Sequence, residues 1–335
     1  MKILITGAAG FVGVNLSHYL INRGHEVIGI DIEDRHSRLS NSHLLNNDRY
    51  TFRRLDLVKQ SINTSELCDI DVVYHLAALP HVDYSYFYPH RTITNNIESL
   101  LTVIEFACRL GKPLIFSSSV EVYGGSDKKI YIESDTLAPL SPYAASKVAN
   151  EVIIKTYVET QGLRATIFRF TNLYGKWQAP DRLLPRVISQ ILSGEEVTVE
   201  KGTNRDFVSI EDACEVLERA AGFDHLGEVF NLSSGVQCDN YHAVEEILNI
   251  IPASSVNVIE PRTHDGRGKF LVSSPEKLSR KTGWTAKTDL KSGIFNVIEW
   301  YQSNHDWVKQ FEENITSSRE TDHFLTDSKL KLSYW

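Results

Sequence analysis

The chain is 335 residues long, with 35 basic and 43 acidic residues, a formal net charge of −8 and a 42% hydrophobic composition. That apolar content excludes a disordered chain, and the acidic balance argues against a nucleic-acid binder, which carries a basic surplus. The length exceeds one typical domain without comfortably reaching two, so one large α/β unit with an appended lobe is expected.

Cys68, Cys108, Cys214 and Cys238 stand far apart with no CxxC pair. Neither a zinc site nor a disulfide framework is indicated, and inert thiols are expected. The 12 histidines lack metal-ligand spacing, so no metal is expected. The apolar run after Met1 is too short for a signal peptide, and no stretch approaches the ~18 apolar residues of a membrane span. Asn-x-Ser/Thr triplets at Asn63, Asn231 and Asn314 therefore lack a secretory context, and a soluble, cytoplasmic protein is expected.

In chain order, a short apolar strand over 2–6 leads through glycines into a helix marked by Val12, Leu16, Tyr19 and Leu20. A second strand covers 26–31. Buried strands are predicted at 71–75 and 113–117, with a helix over about 96–110 between them that carries Ile97, Leu100, Leu101, Ile104 and Ala107. A helix over about 143–161 leads to a strand at 165–170. Alternation of this kind implies a parallel sheet wrapped by helices. After Asn172 the pattern loosens, with a helix near 184–193, a short strand at 197–200 and a further buried strand at 229–232 that completes the sheet. A helix from Tyr241, a Pro/Gly/Ser-rich stretch over 261–275, a helix near 290–303 and a polar tail follow.

Gly7-Ala8-Ala9-Gly10-Phe11-Val12-Gly13 lies between the first strand and the first helix. Glycines there let the backbone turn tightly and approach a pyrophosphate, whose charge meets the helix N-terminus. A glycine trio alone is common; the strand before it and the helix after it point to dinucleotide binding. Asp31 ends the second strand about 18 residues beyond Gly13, the place of a ribose-binding carboxylate. An acid there accepts from ribose hydroxyls and repels a 2′-phosphate, which favours NAD over NADP, although Arg35 and Arg38 lie nearby. Asp56 and Leu57 follow another short strand-like segment and are candidates for the adenine edge.

Tyr143-Ala144-Ala145-Ser146-Lys147 opens a helix after Ser141-Pro142. Four residues apart, Tyr143 and Lys147 share one helix face, and an ammonium near a phenol favours the phenolate needed of a general base. The pattern is weak alone. Ser117-Ser118-Ser119 ends a buried strand about 24 residues earlier, at the carboxyl edge where ligands bind, and supplies a hydroxyl for a reacting alcohol.

With these motifs together, the chain resembles the extended short-chain dehydrogenase/reductases of the NAD-dependent epimerase/dehydratase family, which act on nucleotide sugars. The resemblance runs from Met1 to about Trp300. It includes the glycine turn, His75-Leu76-Ala77-Ala78, Asn95-Asn96 opening the next helix, Ser119, Val122-Tyr123-Gly124 and the Tyr143/Lys147 pair. It continues through Phe170-Thr171-Asn172-Leu173-Tyr174-Gly175 and Arg205-Asp206-Phe207-Val208.

The resemblance implies a Rossmann-type doubly wound parallel sheet with a smaller C-terminal α/β substrate lobe. Residues 1–174, completed by about 207–235, would form the NAD-binding unit, and 175–206 with 236–335 the nucleotide-sugar lobe. Gly7, Gly10, Phe11, Val12, Gly13, Asp31, Asp56, Leu57, Leu76, Ala77, Ala78 and Asn96, with Tyr143 and Lys147, would hold NAD. Tyr143 would deprotonate a sugar hydroxyl, usually at C4, Lys147 would tune it, and Ser119 would position the hydroxyl, giving a transient 4-keto sugar.

Asn172, Arg205 and Arg262 would contact the sugar diphosphate, though each arginine also reads as a surface charge. Leu184 falls where the family packs the base and equally suits a plain helix start. His81, with Asp83, Tyr84 and Tyr86, would line the sugar pocket, and a UDP-sugar is favoured. Trp177 reads as a stacking aromatic, a lid anchor or a core residue. The helices at 96–110 and 143–161 resemble the pair that forms a homodimer in this family.

Where 4,6-dehydratases resemble one another in a Thr-Asp-Glu run, this chain has Ser119-Val120-Glu121. Glu121 stands where a C5 base would stand, but Val120 cannot give a proton to a leaving hydroxyl. An epimerase/dehydratase leaning to C5 chemistry, such as a 5,6-dehydration, is the leading expectation. A plain UDP-sugar 4-epimerase, a net NAD(P)H-dependent reductase and a non-catalytic NAD-binding regulator are the alternatives, and Glu121 also reads as an ordinary loop acid.

Overall fold

The computed structural model describes residues 1–32, 38–125, 130–260 and 270–311. Its first six strands are β1 (Lys2–Thr6), β2 (Glu26–Asp31), β3 (Tyr50–Arg54), β4 (Val72–His75), β5 (Leu114–Ser119) and β6 (Ala165–Phe170). They form one seven-stranded sheet in the order Leu226–Leu232, β6, β5, β4, β1, β2, β3, with every neighbouring pair parallel. Helices cover both faces, so β4 and β5 are buried along their whole length.

One apolar cluster packs α1 (Phe11–Asn22) and the helix Ile210–Ala220 on one face of the sheet. The other packs α4 (Pro89–Leu110) and α5 (Pro142–Gln161) on the opposite face. Between α1 and α4 lie the short helices α2 (Arg38–Asn41) and α3 (Val82–Phe87).

Two boundaries differ from the sequence pattern in ways that bear on the site. Helix α4 starts at Pro89, not near 96, because proline suits the first helical position while the run His90–Asn95, polar apart from Ile93, hides the apolar period. Asn95 and Asn96 therefore lie in its second turn and do not open it. Strand β5 runs to Ser119, so Ser118 and Ser119 are ladder residues paired with Arg169 and Phe170. Helix α5 begins where Ser141-Pro142 implies: Ser141 Oγ accepts from the Ala144 amide at 3.1 Å.

The smaller lobe has its own core, built by α6 (Leu183–Leu192), the helices Asn240–Leu248 and Leu290–Ser303, and the parallel pair Val197–Glu200 with Val256–Ile259. Trp177, Trp300 and Trp307 meet edge to face there, with centroids 4.9, 5.4 and 5.3 Å apart. Among the described residues no helix is long and apolar enough to cross a membrane, and no cluster of His, Cys, Asp and Glu is arranged to hold a metal ion.

Candidate active site

The strand order reverses between β1 and β4, and a crevice at such a point is where ligands bind in open α/β sheets. Here the loops after these two strands touch. A Cβ on Gly7, which has φ +74°, would sit 2.6 Å from the Ala77 amide nitrogen, and a Cβ on Gly13 only 2.2 Å from the Gly7 carbonyl oxygen. Gly10 is the N-cap of α1 and offers no side-chain acceptor; Phe11 and Val12 begin the helix, and its first turn carries no acid. The α1 amides and the positive end of its dipole are thus aimed at an anion.

Asp31 Oδ2 accepts from the Ala9 amide at 3.0 Å and Oδ1 from Ile32 at 2.8 Å, fixing the carboxylate beside the glycine turn. Asp56 Oδ1 accepts from Val58 at 3.0 Å, and buried Leu57 is fastened to α4 through Thr102 Oγ1 at 2.7 Å.

Leu76, Ala77 and Ala78 leave β4 above His75. The His75 ring lies 2.7 Å from Thr6 Oγ1 and is kept neutral, its pKa pushed down to about 3 first by burial and then by the Lys147 charge. Asn96 does not face outward. Its Oδ1 accepts from the Leu79 amide at 2.8 Å and its Nδ2 donates to Ser146 Oγ at 3.0 Å, so it clamps the Leu76–Leu79 segment to α5.

Arg38 reaches from the glycine turn, where its Nη1 lies 3.5 Å from the Ala9 carbonyl oxygen, to the lobe. Its Nε donates to the Trp177 carbonyl at 2.8 Å, and its guanidinium lies over the Trp307 and Phe311 rings at 5.9 and 5.6 Å. It joins the glycine-turn side of the sheet to the lobe, and Trp177 is a packing residue of that junction. Arg35 lies outside the described residues.

The catalytic candidates converge where β5 meets α5. Ser119 Oγ caps a short 3₁₀ turn, Val120–Tyr123, accepting from the Glu121 amide at 3.2 Å, and its hydroxyl faces the Tyr143 phenol. Burial pushes the Tyr143 phenol up to about 12, the Ser119 hydroxyl and the Arg182 charge pull it back, and the Glu121 charge raises it.

Lys147 behaves differently from the sequence expectation. Its Nζ donates to the Ser117 carbonyl at 2.7 Å and stands 5.9 Å from the Tyr143 ring centre. Burial lowers its own pKa to about 7, against the raising effect of Glu151. Among the described residues, the charge of Arg182, at the N-cap of α6 and marked by no sequence motif, lowers the Tyr143 pKa.

His81 precedes α3, and its Nε2 lies 3.5 Å from Asp181, so the lobe and the β4 loop meet beside the phenol. The His81 pKa is lowered by burial and by the Arg182 and Arg38 charges, with Asp181 opposing. Tyr86 OH donates to the Leu140 carbonyl at 2.7 Å, and the Tyr84 and Tyr88 rings meet tilted with centroids 4.7 Å apart. Asn172 Nδ2 donates to the Asp206 carbonyl at 3.1 Å, and buried Arg205 donates to the Asn204 carbonyl at 2.9 Å. Leu184 lies in the first turn of α6 and is buried in the lobe core. Arg262 lies outside the described residues.

The chain matches the family described as NAD dependent epimerase/dehydratase over residues 3–233. It belongs to that family. A dTDP-glucose 4,6-dehydratase from Actinoplanes sp. is 30% identical over 322 residues, covering 92% of this chain and 99% of that one. Two solved structures are similar over most of the chain. An NAD dependent NDP-hexosamine 5,6-dehydratase involved in tunicamycin biosynthesis has a TM-score of 0.81 and 28% identity, with 90% of this chain and 98% of that one covered. A UDP-glucuronic acid 4-epimerase from Bacillus cereus, in complex with UDP-glucuronic acid and NAD, has a TM-score of 0.82 and 29% identity, with 90% and 99% covered.

The residues of this epimerase/dehydratase family member fit the dinucleotide. The turn, closed to a Cβ at Gly7 and Gly13, and the uncapped α1 suit the pyrophosphate, and Asp31 suits the ribose diol.

Proposed function

We propose that this chain is an NAD-dependent nucleotide-sugar enzyme that oxidises the sugar at C4 and then works at C5 through Glu121. The convergence of Ser119, Glu121 and Tyr143 in one crevice carries the reading. When bound, NAD supplies the acceptor for the C4 hydride and later its return. The α1 amides and Asp31 hold the cofactor, Lys147 meets its nicotinamide ribose, Ser119 orients the C4 hydroxyl, and Tyr143 takes the proton. Asn172 and Arg205, and by the family resemblance Arg262, are assigned to the sugar diphosphate, and a UDP-sugar is the favoured substrate.

Oxidation at C4 acidifies C5–H, and Glu121 takes that proton. Val120 is 4% exposed, packed in the core beneath the turn, and carries no proton to give. Glu121, now carrying the C5 proton, is then the acid available to a hydroxyl leaving from the carbon beside C5, for a net loss of water. A plain UDP-sugar 4-epimerase is the second reading, favoured by the same burial of Val120, since epimerisation needs no acid at that place.

Residues 1–174 with 207–235 serve the cofactor, and 175–206 with 236–335 the sugar. The α4/α5 pair leaves Ile93 and Val152 exposed, which supports a homodimer through those helices. The four free thiols support a cytoplasmic setting.

Incubation of UDP-, dTDP- and GDP-sugars with the enzyme in D₂O tests the reading. Deuterium at C5, or loss of water to a C5–C6 alkene that keeps no hydrogen at C5, is the expected product pattern. Inversion at C4 without deuterium would assign the epimerase instead, and stoichiometric consumption of NADH would assign a reductase.

A further inference from the structure

Three consecutive serines of β5 meet three consecutive turns of α5. The Ser119 hydroxyl faces Tyr143 and lowers its pKa, the Ser117 carbonyl accepts from Lys147 at 2.7 Å, and Ser118 Oγ donates to Glu151 Oε1 at 2.6 Å. Tyr143, Lys147 and Glu151 recur at four-residue spacing and so share one stripe of the helix. The reaction uses the first two, and Glu151 has no part in it.

Glu151 is instead the start of a buried chain of hydrogen bonds. Its two oxygens accept from Arg169 Nε at 2.9 Å and Nη2 at 2.7 Å, with both side chains almost wholly buried. Arg169 Nη1 donates to Tyr123 OH at 2.8 Å, and Tyr123 OH donates to Asn231 Oδ1 at 2.7 Å. The Asn231 amide in turn donates to Glu133 Oε1 at 2.8 Å. The chain therefore leaves the β5 segment at Ser118, one residue before Ser119, and returns to it at Tyr123, two residues after Glu121. Both catalytic candidates of that segment lie between its two anchor points.

A buried ion pair contributes little net stability over a well-packed apolar pair of equal size. A bidentate guanidinium–carboxylate pair does, however, fix one relative placement of the elements it joins. Here those elements are β5, α5, β6 and the turn that carries Glu121. We propose that Ser118, Glu151, Arg169 and Tyr123 are positioning residues that hold Ser119 and Glu121 in register with Tyr143 and Lys147. This rests on the functional reading above for the roles of the positioned groups, not for the geometry.

Ser118→Ala and Tyr123→Phe each delete one hydroxyl and leave the Glu151–Arg169 pair in place. In the NAD-loaded enzyme acting on its nucleotide sugar, each is expected to lower kcat tenfold or more. KM for the sugar nucleotide stays at the wild-type value, the thermal midpoint falls with the lost charged hydrogen bond, kcat is taken per folded protein well below that midpoint, and Ser118→Thr, which keeps the hydroxyl, restores most of kcat. A second readout needs no substrate. The ultraviolet titration of Tyr143, which faces Ser119, Arg182 and Glu121, is read as the difference between each variant and its Tyr143→Phe derivative, and it is expected to shift. Wild-type kcat together with an unshifted titration would overturn the proposal, as would a kcat loss that merely tracks the loss of folded protein. If the titration shifts while the wild-type protein turns over no nucleotide sugar, the positioning role stands and the functional reading falls.

Discussion

Lys147 Nζ lies 2.7 Å from the Ser117 carbonyl oxygen and 5.9 Å from the centre of the Tyr143 ring, so the strand, not the phenol, is its partner. That placement makes stability depend on pH. Burial holds the Lys147 pKa near 7, below the ~10.4 of an unfolded lysine, so between those values the unfolded chain binds the extra proton. The penalty for folding with this charge buried is fully present below about pH 7 and disappears as pH rises towards ~10.4. Lys147→Met, which removes the charge, is expected to gain most on wild type below pH 7, with its advantage shrinking steadily above it. Urea unfolding of both proteins across that range measures the gap, and a gap independent of pH would contradict the placement.

The glycine turn makes a graded prediction. A methyl on Gly13 meets the Gly7 carbonyl oxygen at 2.2 Å, and one on Gly7 meets backbone of the β4 loop at 2.6 Å, whereas one on Gly10 stops at 3.0 Å. Backbone cannot step aside as a flexible side chain can. Gly13→Ala and Gly7→Ala are therefore expected to abolish NAD binding by calorimetry, and Gly10→Ala to weaken it. Gly111→Ala meets no atom and pays only the left-handed φ of +63°, about 1 kcal/mol, with NAD affinity unchanged. Equal affinities across the series would remove the turn as the cofactor cradle.

Arg38 carries a prediction opposite to the one its sequence position suggests. Its hydrogen bond to the Trp177 carbonyl works beside Asn15 Nδ2, which donates to the Lys176 carbonyl at 2.9 Å, and Tyr301 OH, which donates to the Gln178 carbonyl at 2.6 Å. Three successive carbonyls are thus held from both sides of the junction. Arg38→Ala is expected to lower stability by about 2 kcal/mol, the scale of a charged hydrogen bond lost in a buried setting. It should also speed the loss of bound NAD on gel filtration, while the NAD-to-NADP preference stays as it was. A rise in NAD preference in this variant would instead put Arg38 at the adenosine ribose.

These examples also mark where the sequence was legible. Strand-helix alternation, the glycine spacing and the four-residue Tyr143/Lys147 step are local signals, and each falls on the element it indicates. Asn96 and Leu184 carry the right identities, yet one clamps a loop and the other fills a core, because a motif position says nothing about which neighbour uses the side chain. Arg182 and the Glu151–Arg169 pair had no local pattern at all. Their meaning comes from contacts between residues far apart in the chain, through a sheet order that places β5 beside β6. The start of α4 was hidden for a simpler reason: its first turns carry a single large apolar residue, Ile93, and show no period.

The sharpest separation of roles lies between Tyr143 and Glu121. Tyr143→Phe removes the base for the first step and is expected to lower C4 oxidation by about 10³-fold, within the range for general-base groups, with bound NAD unchanged. Glu121→Gln acts on both steps with opposite signs. The Glu121 charge raises the phenol pKa, so its removal brings Tyr143 closer to ionisation and leaves C4 oxidation at least as fast at a fixed pH. The same change deletes the C5 base, so deuterium uptake at C5 should fall by about 10²-fold or more. The variant should therefore accumulate reduced cofactor and ketone during single turnover, where wild type does not. Retained deuterium exchange would transfer the C5 step to another residue, and lost C4 oxidation would make Glu121 part of the first step.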